Sequence, residues 1–166
     1  MSIAEAVQRA SAYLTEHPDE ARYRDSHARA RLDSGLRVSV TGPGGETLTT
    51  DMPSGIGGAA SAPSPGWYLR AAEASCVVAL IAIRAAATGV ELDDVEVTVD
   101  SESDDRGILG LDPRIPAGAL SVKVVVTIRA RGRSRAELDE LVRWAVDHCP
   151  VTDTVHRAVP VELEIR

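Results

Sequence analysis

Residues 71 to 83 read AAEASCVVALIAI, an apolar run broken only by Glu73, Ser75 and one thiol. The helical pattern around it runs from about Trp67 to Thr88, with Pro65 ahead of it and Gly89 as its stop. A helix apolar nearly all round has no face to offer water, so it predicts burial on most sides. It cannot span a membrane, because no stretch reaches the roughly 18 apolar residues that a span requires. The chain must therefore wrap other elements around this helix. Its 166 residues suit one domain, read as residues 1–166. Phe is absent and aromatics make up 3%, so Val, Ala, Leu and Ile must fill the core. These side chains bury less area than large aromatics. A core built from them is expected to be completed by a partner subunit.

The remaining elements follow from periodicity. Ile3, Val7, Ala10 and Leu14 recur at helical spacing, and His17-Pro18 ends that amphipathic helix. HARARL (27–32), LRVSV (36–40) and ETLTT (46–50) alternate, with GPGG as a turn, and predict three short antiparallel strands. The small residues of 53–66 form a loop. VEVTVDS (95–101) and LSVKVVVTIRA (120–130) read as strands, the latter with Val122, Val124, Val126 and Ile128 on one face. Between them ESDDRG (102–107) is an acidic loop. Ser134 and Glu137 form a capping box that opens a helix ending at Cys149-Pro150. VTDTVHRA reads as one helical turn, and VELEI (161–165) predicts a last strand. Helices set against antiparallel strands in this order make an α+β fold.

A formal net charge of −7 excludes DNA and RNA as natural partners, and an anionic membrane surface with them. MSIAEAVQRASAYLTEHP has an early Glu5 and no apolar core, so it does not read as a signal peptide. A cytoplasmic location is expected. In that reducing compartment the two cysteines, Cys76 and Cys149, should form no permanent disulfide. Cys76 lies in the most apolar segment and Cys149 immediately before Pro150. Either they pack as small hydrophobes, or their sulfurs meet and do redox chemistry.

Other chemistries fit less well. GPGG and GIGG (55–58) lack the Lys-Ser/Thr of a phosphate loop. The acidic loop lacks the glycine and glutamate of a calcium loop. His148, Cys149, Asp153 and His156 cluster in sequence but not at zinc spacing, so no metal or organic cofactor is expected. Ser75-Cys76 is no nucleophile elbow. Trp67 and Tyr68 either line an apolar pocket or simply pack.

SPGWYLRAAEASC ahead of the apolar helix, HCPV at the end of a later one, and VTVDSESDDRGILGLD between them resemble the OsmC/Ohr family. The resemblance runs from about residue 26 to the C-terminus, which makes residues 1–20 an N-terminal helical extension. It implies an OsmC-like fold, an intertwined homodimer with antiparallel sheets flanking long central helices. It also implies thiol peroxidase activity on organic hydroperoxides, in which Cys76 attacks, Cys149 resolves the intermediate and an external dithiol reduces the product. In peroxidase members an arginine on the first strands activates the attacking thiol and is held by a glutamate after the proline that precedes the helix. Here that position is Gly66. Arg31 and Arg37 are the candidate arginines, and Glu73, three residues before Cys76, is placed to hold one from another position.

The residues alone bear on the division of labour. Cys76 sits roughly three turns into its helix, beyond the reach of the helix dipole, so a thiolate there needs a nearby cation. Cys149 is expected at a helix C-terminus, where the dipole opposes a thiolate. The position of Cys149 favours Cys76 as the attacker. The rival reading is a non-catalytic OsmC-like dimer that binds a small apolar ligand, favoured by Gly66. A purely structural dimer with inert thiols is a third.

Overall fold

The computed structural model describes residues 1–157 and 159–166. The chain divides into two compact units, Arg9–Arg70 and Met1–Gln8 with Ala71–Arg166.

The Arg9–Arg70 unit contains most of α1 (Ile3–Glu16), a 3-10 turn at Pro18–Ala21, and the strands β1 (Arg29–Ser34), β2 (Arg37–Thr41) and β3 (Thr47–Thr50). The strands form an antiparallel meander in the order β1-β2-β3, with Leu32 opposite Val38 and Val38 opposite Thr50. Gly35, at φ 56, makes the β1–β2 turn in a conformation that costs other residues a Cβ clash. The loop that leads to the next helix is pinned by Asp51. This residue is 2% exposed, and its carboxylate accepts from the N–H and Oγ of Ser61 and from the N–H of Met52. Those donors hold the Asp51 carboxyl below its ordinary range. Gly58 passes so close to Met52 that an added Cβ would lie 1.8 Å from the Met52 carbonyl oxygen.

The long helix α2 (Pro65–Ala87) begins in this unit. Ser64 caps it, its Oγ accepting from the Trp67 N–H at 3.2 Å, and Pro65 supplies a first residue with no N–H to satisfy. At its far end Gly89 adopts φ 68 and the Val90 N–H donates to the Ala85 carbonyl. This is a left-handed C-terminal cap.

The other unit carries most of α2, then β4 (Asp94–Glu102), α3 (Asp105–Ile108), β5 (Ser121–Arg129), α4 (Arg135–Asp147) and α5 (Pro150–His156). β4 and β5 pair antiparallel along their full lengths, from Asp94 opposite Arg129 to Glu102 opposite Ser121. Val95, Val97, Val126 and Ile128 pack on a core of Val77, Ile81, Ala85, Leu141, Ala145 and Cys149. α4 starts with both halves of the expected capping box, Ser134 and Glu137 bonding reciprocally. Arg84 of α2 lies over the Trp144 ring at 4.7 Å, and His148 stacks on the ring at 4.2 Å.

Four sequence expectations change. α2 buries one stripe, Glu73, Val77, Ile81 and Ala85, rather than most of its surface; Trp67 and Leu69 are about half exposed. One chain supplies α4 and the β4–β5 pair as cover, which is enough for one side of a helix. The acidic loop contains α3, capped by Asp104, whose side chain accepts from the Arg106 N–H. α4 ends at Asp147, and Pro150 starts α5 instead of merely stopping its predecessor. Residues 161–165 form no strand: Val161, Leu163 and Ile165 are 83 to 91% exposed. A strand exists only where an edge satisfies its backbone groups, and neither sheet takes this segment as a member.

Candidate active site

The first half of the site comes from the buried stripe of α2. Counting back from Val77 by one helical turn gives Glu73, and Cys76 is its neighbour on the adjacent edge, half-buried. The second half comes from the α4–α5 junction. Cys149 is fully buried and occupies the position just ahead of α5, with Pro150 as the first helical residue. Packing α5 beside α2 brings the two thiols near each other, Cys76 lying against the core cluster that contains Cys149, and both are free.

The environments of the two sulfurs differ. Burial pushes the Cys76 thiol up, and the neighbouring Cys149 sulfur pushes it further, against a smaller pull from the Val151 N–H. Burial also pushes Cys149 up. There the Thr152 hydroxyl and N–H, the Cys76 thiol and the Val151 N–H outweigh burial, and the net direction is down. No cap hydrogen bond of ordinary geometry reaches the Cys149 sulfur. These donors nevertheless lie close enough to favour its charged form. Charge on the pair therefore resides preferentially on Cys149. The end of α4 alone would oppose a thiolate at Cys149, but α5 begins at once and its first turn supplies the donors.

Glu73 is 3% exposed, and its Oε1 accepts from the Thr152 hydroxyl at 3.0 Å. Glu73 and the two cysteines thus come together, with Thr152 between the carboxyl and the Cys149 sulfur. Thr152 was not among the residues singled out from sequence. Its only local signal is its place three residues after Cys149, where a side chain on α5 turns back toward the residue ahead of the helix. Arg31 and Arg37 belong to the other unit. Arg31 is exposed on β1, opposite Ser39, and Arg37 donates from Nη1 to Ser61 Oγ at 2.8 Å while its Nε lies 3.9 Å from Asp33. At Gly66 an added Cβ would stand 3.7 Å from Arg70 Nη1, an ordinary contact, so no steric barrier excludes a side chain there.

Among the described residues no group of three or more His, Cys, Asp or Glu side chains is placed to hold a metal ion. No helix is long and apolar enough to cross a membrane.

Comparison with known proteins follows the same lines. A comparison with curated protein sequences found no match. Among solved structures, the organic hydroperoxide resistance protein OsmC of Legionella pneumophila superposes with a TM-score of 0.61 at 22% identity, covering 81% of this chain and 90% of that one. The organic hydroperoxide resistance protein OhrB of Bacillus subtilis gives 0.54 at 20% identity, over 86% and 98% of the two chains. An OsmC-like protein of unknown function from Vibrio cholerae gives 0.66 at 11% identity, over 80% and 94%. At these identities the likeness is one of fold. The family model for the OsmC-like protein matches residues 58–164, which include α2, both cysteines and Thr152. With the family model matching most of its length, the chain belongs to the OsmC-like protein family.

Proposed function

We propose that the protein reduces organic hydroperoxides with its two thiols, in the cytoplasm and as a homodimer. The observation that carries this reading is the proximity of Cys76 and Cys149 where α5 packs beside α2. The Cys76 thiolate attacks the distal oxygen of ROOH. The O–O bond breaks, ROH leaves after taking one proton, and Cys76 becomes a sulfenic acid. The Cys149 thiolate then attacks the Cys76 sulfur and displaces hydroxide, which departs as water after taking one proton. The disulfide that results is reduced by an external dithiol. Cys76 suits the first role because it is the reachable thiol, whereas Cys149 is fully buried. Cys149 suits the second because its surroundings favour the thiolate that resolution needs. Arg31 or Arg37 would supply the cation that Cys76 requires. The names of relatives such as the hydroperoxide resistance proteins of L. pneumophila and B. subtilis support the same substrate class.

Gly66 favours a second reading, a dimer that keeps the fold and binds a small apolar ligand without turning it over. It stands where the peroxidase pattern carries glutamate. The two are separated by peroxide consumption with a dithiol reductant. The peroxidase reading expects turnover in wild type and none in Cys76→Ser. Equal consumption by both would leave the ligand-binding reading.

A further inference from the structure

The buried stripe of α2 is apolar except at one position. Glu73 lies in line with Val77, Ile81 and Ala85, yet carries a carboxyl that is 3% exposed. Placing a carboxyl there costs desolvation that an apolar residue of similar size would avoid. Packing therefore does not explain it. Its hydrogen bond crosses from α2 to α5, from the Thr152 hydroxyl to Glu73 Oε1 at 3.0 Å. Thr152 stands in the first turn of α5, three residues after Cys149 at the N-cap, which places the same hydroxyl at the Cys149 end of that helix.

A hydroxyl has one proton and two lone pairs. Thr152 cannot donate to Glu73 and to Cys149 at once, so the three groups have two self-consistent arrangements. In one, the Cys149 S–H donates to Thr152 Oγ1 and the Thr152 O–H donates to Glu73. In the other, the protonated Glu73 carboxyl donates to Thr152 Oγ1 and the Thr152 O–H donates to a Cys149 thiolate. The two differ by two short proton shifts in the same direction. One S–H and one threonine O–H bond break; one threonine O–H and one carboxyl O–H bond form. The total charge is unchanged.

We propose that Glu73 is the proton acceptor for Cys149, drawing its thiol proton through the hydroxyl of Thr152. The inference rests on the peroxidase reading of the cysteine pair and assigns its resolving step a base. Cys149 is fully buried, so water is poorly placed to remove its proton, and the relay removes it inside the protein. The chemistry balances: Cys149–SH and Cys76–SOH give the disulfide and water, and the proton held on Glu73 equals the one that the departing hydroxide needs. This makes Glu73 a partner of the resolving thiol instead of a holder for an arginine over the attacking one.

The test uses the full chain with Glu73→Gln, Thr152→Val and Thr152→Ser, each checked for native circular dichroism. In single turnover, disulfide formation after one equivalent of an organic hydroperoxide is followed by mass spectrometry, with dimedone to trap sulfenic acid. Loss of the relay should slow disulfide formation by about tenfold or more in Glu73→Gln and in Thr152→Val, within the range that a positioned acid–base group contributes. Sulfenic acid at Cys76 should accumulate in both. Thr152→Ser, which keeps the hydroxyl, should resolve at close to the wild-type rate. The double variant should be no slower than the slower single one, because a relay broken at one link is already broken. A second arm replaces the hydroperoxide with diamide, a thiol oxidant that also needs the second thiolate to displace its adduct from the first. If hydroperoxide oxidises no thiol but the diamide arm shows the same order of rates, the peroxidase reading fails and the relay stands. Wild-type disulfide formation in folded Glu73→Gln and Thr152→Val, with either oxidant, would overturn the relay.

Discussion

At the scale of single residues, the account turns on two sulfurs with unlike surroundings. Cys76→Ser should abolish peroxide turnover, since Cys149 is fully buried and cannot take over the attack. Cys149→Ser should still permit one oxidation per chain and then stop, leaving a sulfenic acid or a mixed disulfide at Cys76. Mass spectrometry after one equivalent of hydroperoxide distinguishes the two variants. Arg31→Ala and Arg37→Ala separate the candidate cations. Whichever serves Cys76 should, when removed, shift the pH profile of the first oxidation to higher pH and slow it at neutral pH. A neutral effect from both would remove the arginine from the scheme. Within the site, the cysteines and Glu73 were legible in the sequence because each is an anomaly in its own segment: a thiol and a carboxyl in an apolar run, a thiol before a proline. Thr152 was not. Its contact with Glu73 joins positions far apart in the chain, and its place three residues after Cys149 does not by itself mark it as the bridge.

At the scale of elements, the local signals and the three-stranded antiparallel meander agree with the structure, and the strand expected at 161–165 does not. The Ser134–Glu137 box, Pro65 at the helix start and the Gly89 stop all act within one helical turn, so the sequence carries them whole. Pro150 is locally ambiguous, since proline ends one helix and suits the first position of the next. Residues 161–165 alternate like a strand, but alternation describes faces and supplies no partner edge. Two helix caps offer direct tests. Ser134→Ala should destabilise the protein by about 1 kcal/mol in urea unfolding, the usual cost of losing such a cap. Asp104, which caps α3, is held by the Arg106 side chain and N–H below its ordinary 3.8, at about 2. A carboxylate with a depressed folded value adds stability above its unfolded value and loses it as pH falls through the folded one. Wild type should therefore exceed Asp104→Asn in stability at pH 6, and the difference should shrink as pH falls below about 4. A difference that stays constant from pH 6 to pH 3 would show that the Asp104 charge is not what caps the helix.

At the scale of the whole molecule, the unspent apolar surface is the main fact. Trp67 and Leu69 on α2 are about half exposed, and the C-terminal segment presents Val161, Leu163 and Ile165 to solvent. A core without Phe has little to spare, and exposed apolar surface of this kind marks association. An obligate homodimer should sediment as one species at micromolar concentration, and a stable folded monomer there would refute it. On the proposed function, the two thiols of each chain act together on a hydroperoxide. The most direct measurement is a count of free thiols in the reduced, denatured protein before and after one equivalent of an organic hydroperoxide per chain, with Cys76→Ser alongside. The account expects the wild type to go from two thiols per chain to none, with a disulfide between Cys76 and Cys149, while Cys149 in Cys76→Ser stays reduced. Two thiols still present in the wild type after the peroxide has had time to react would contradict it.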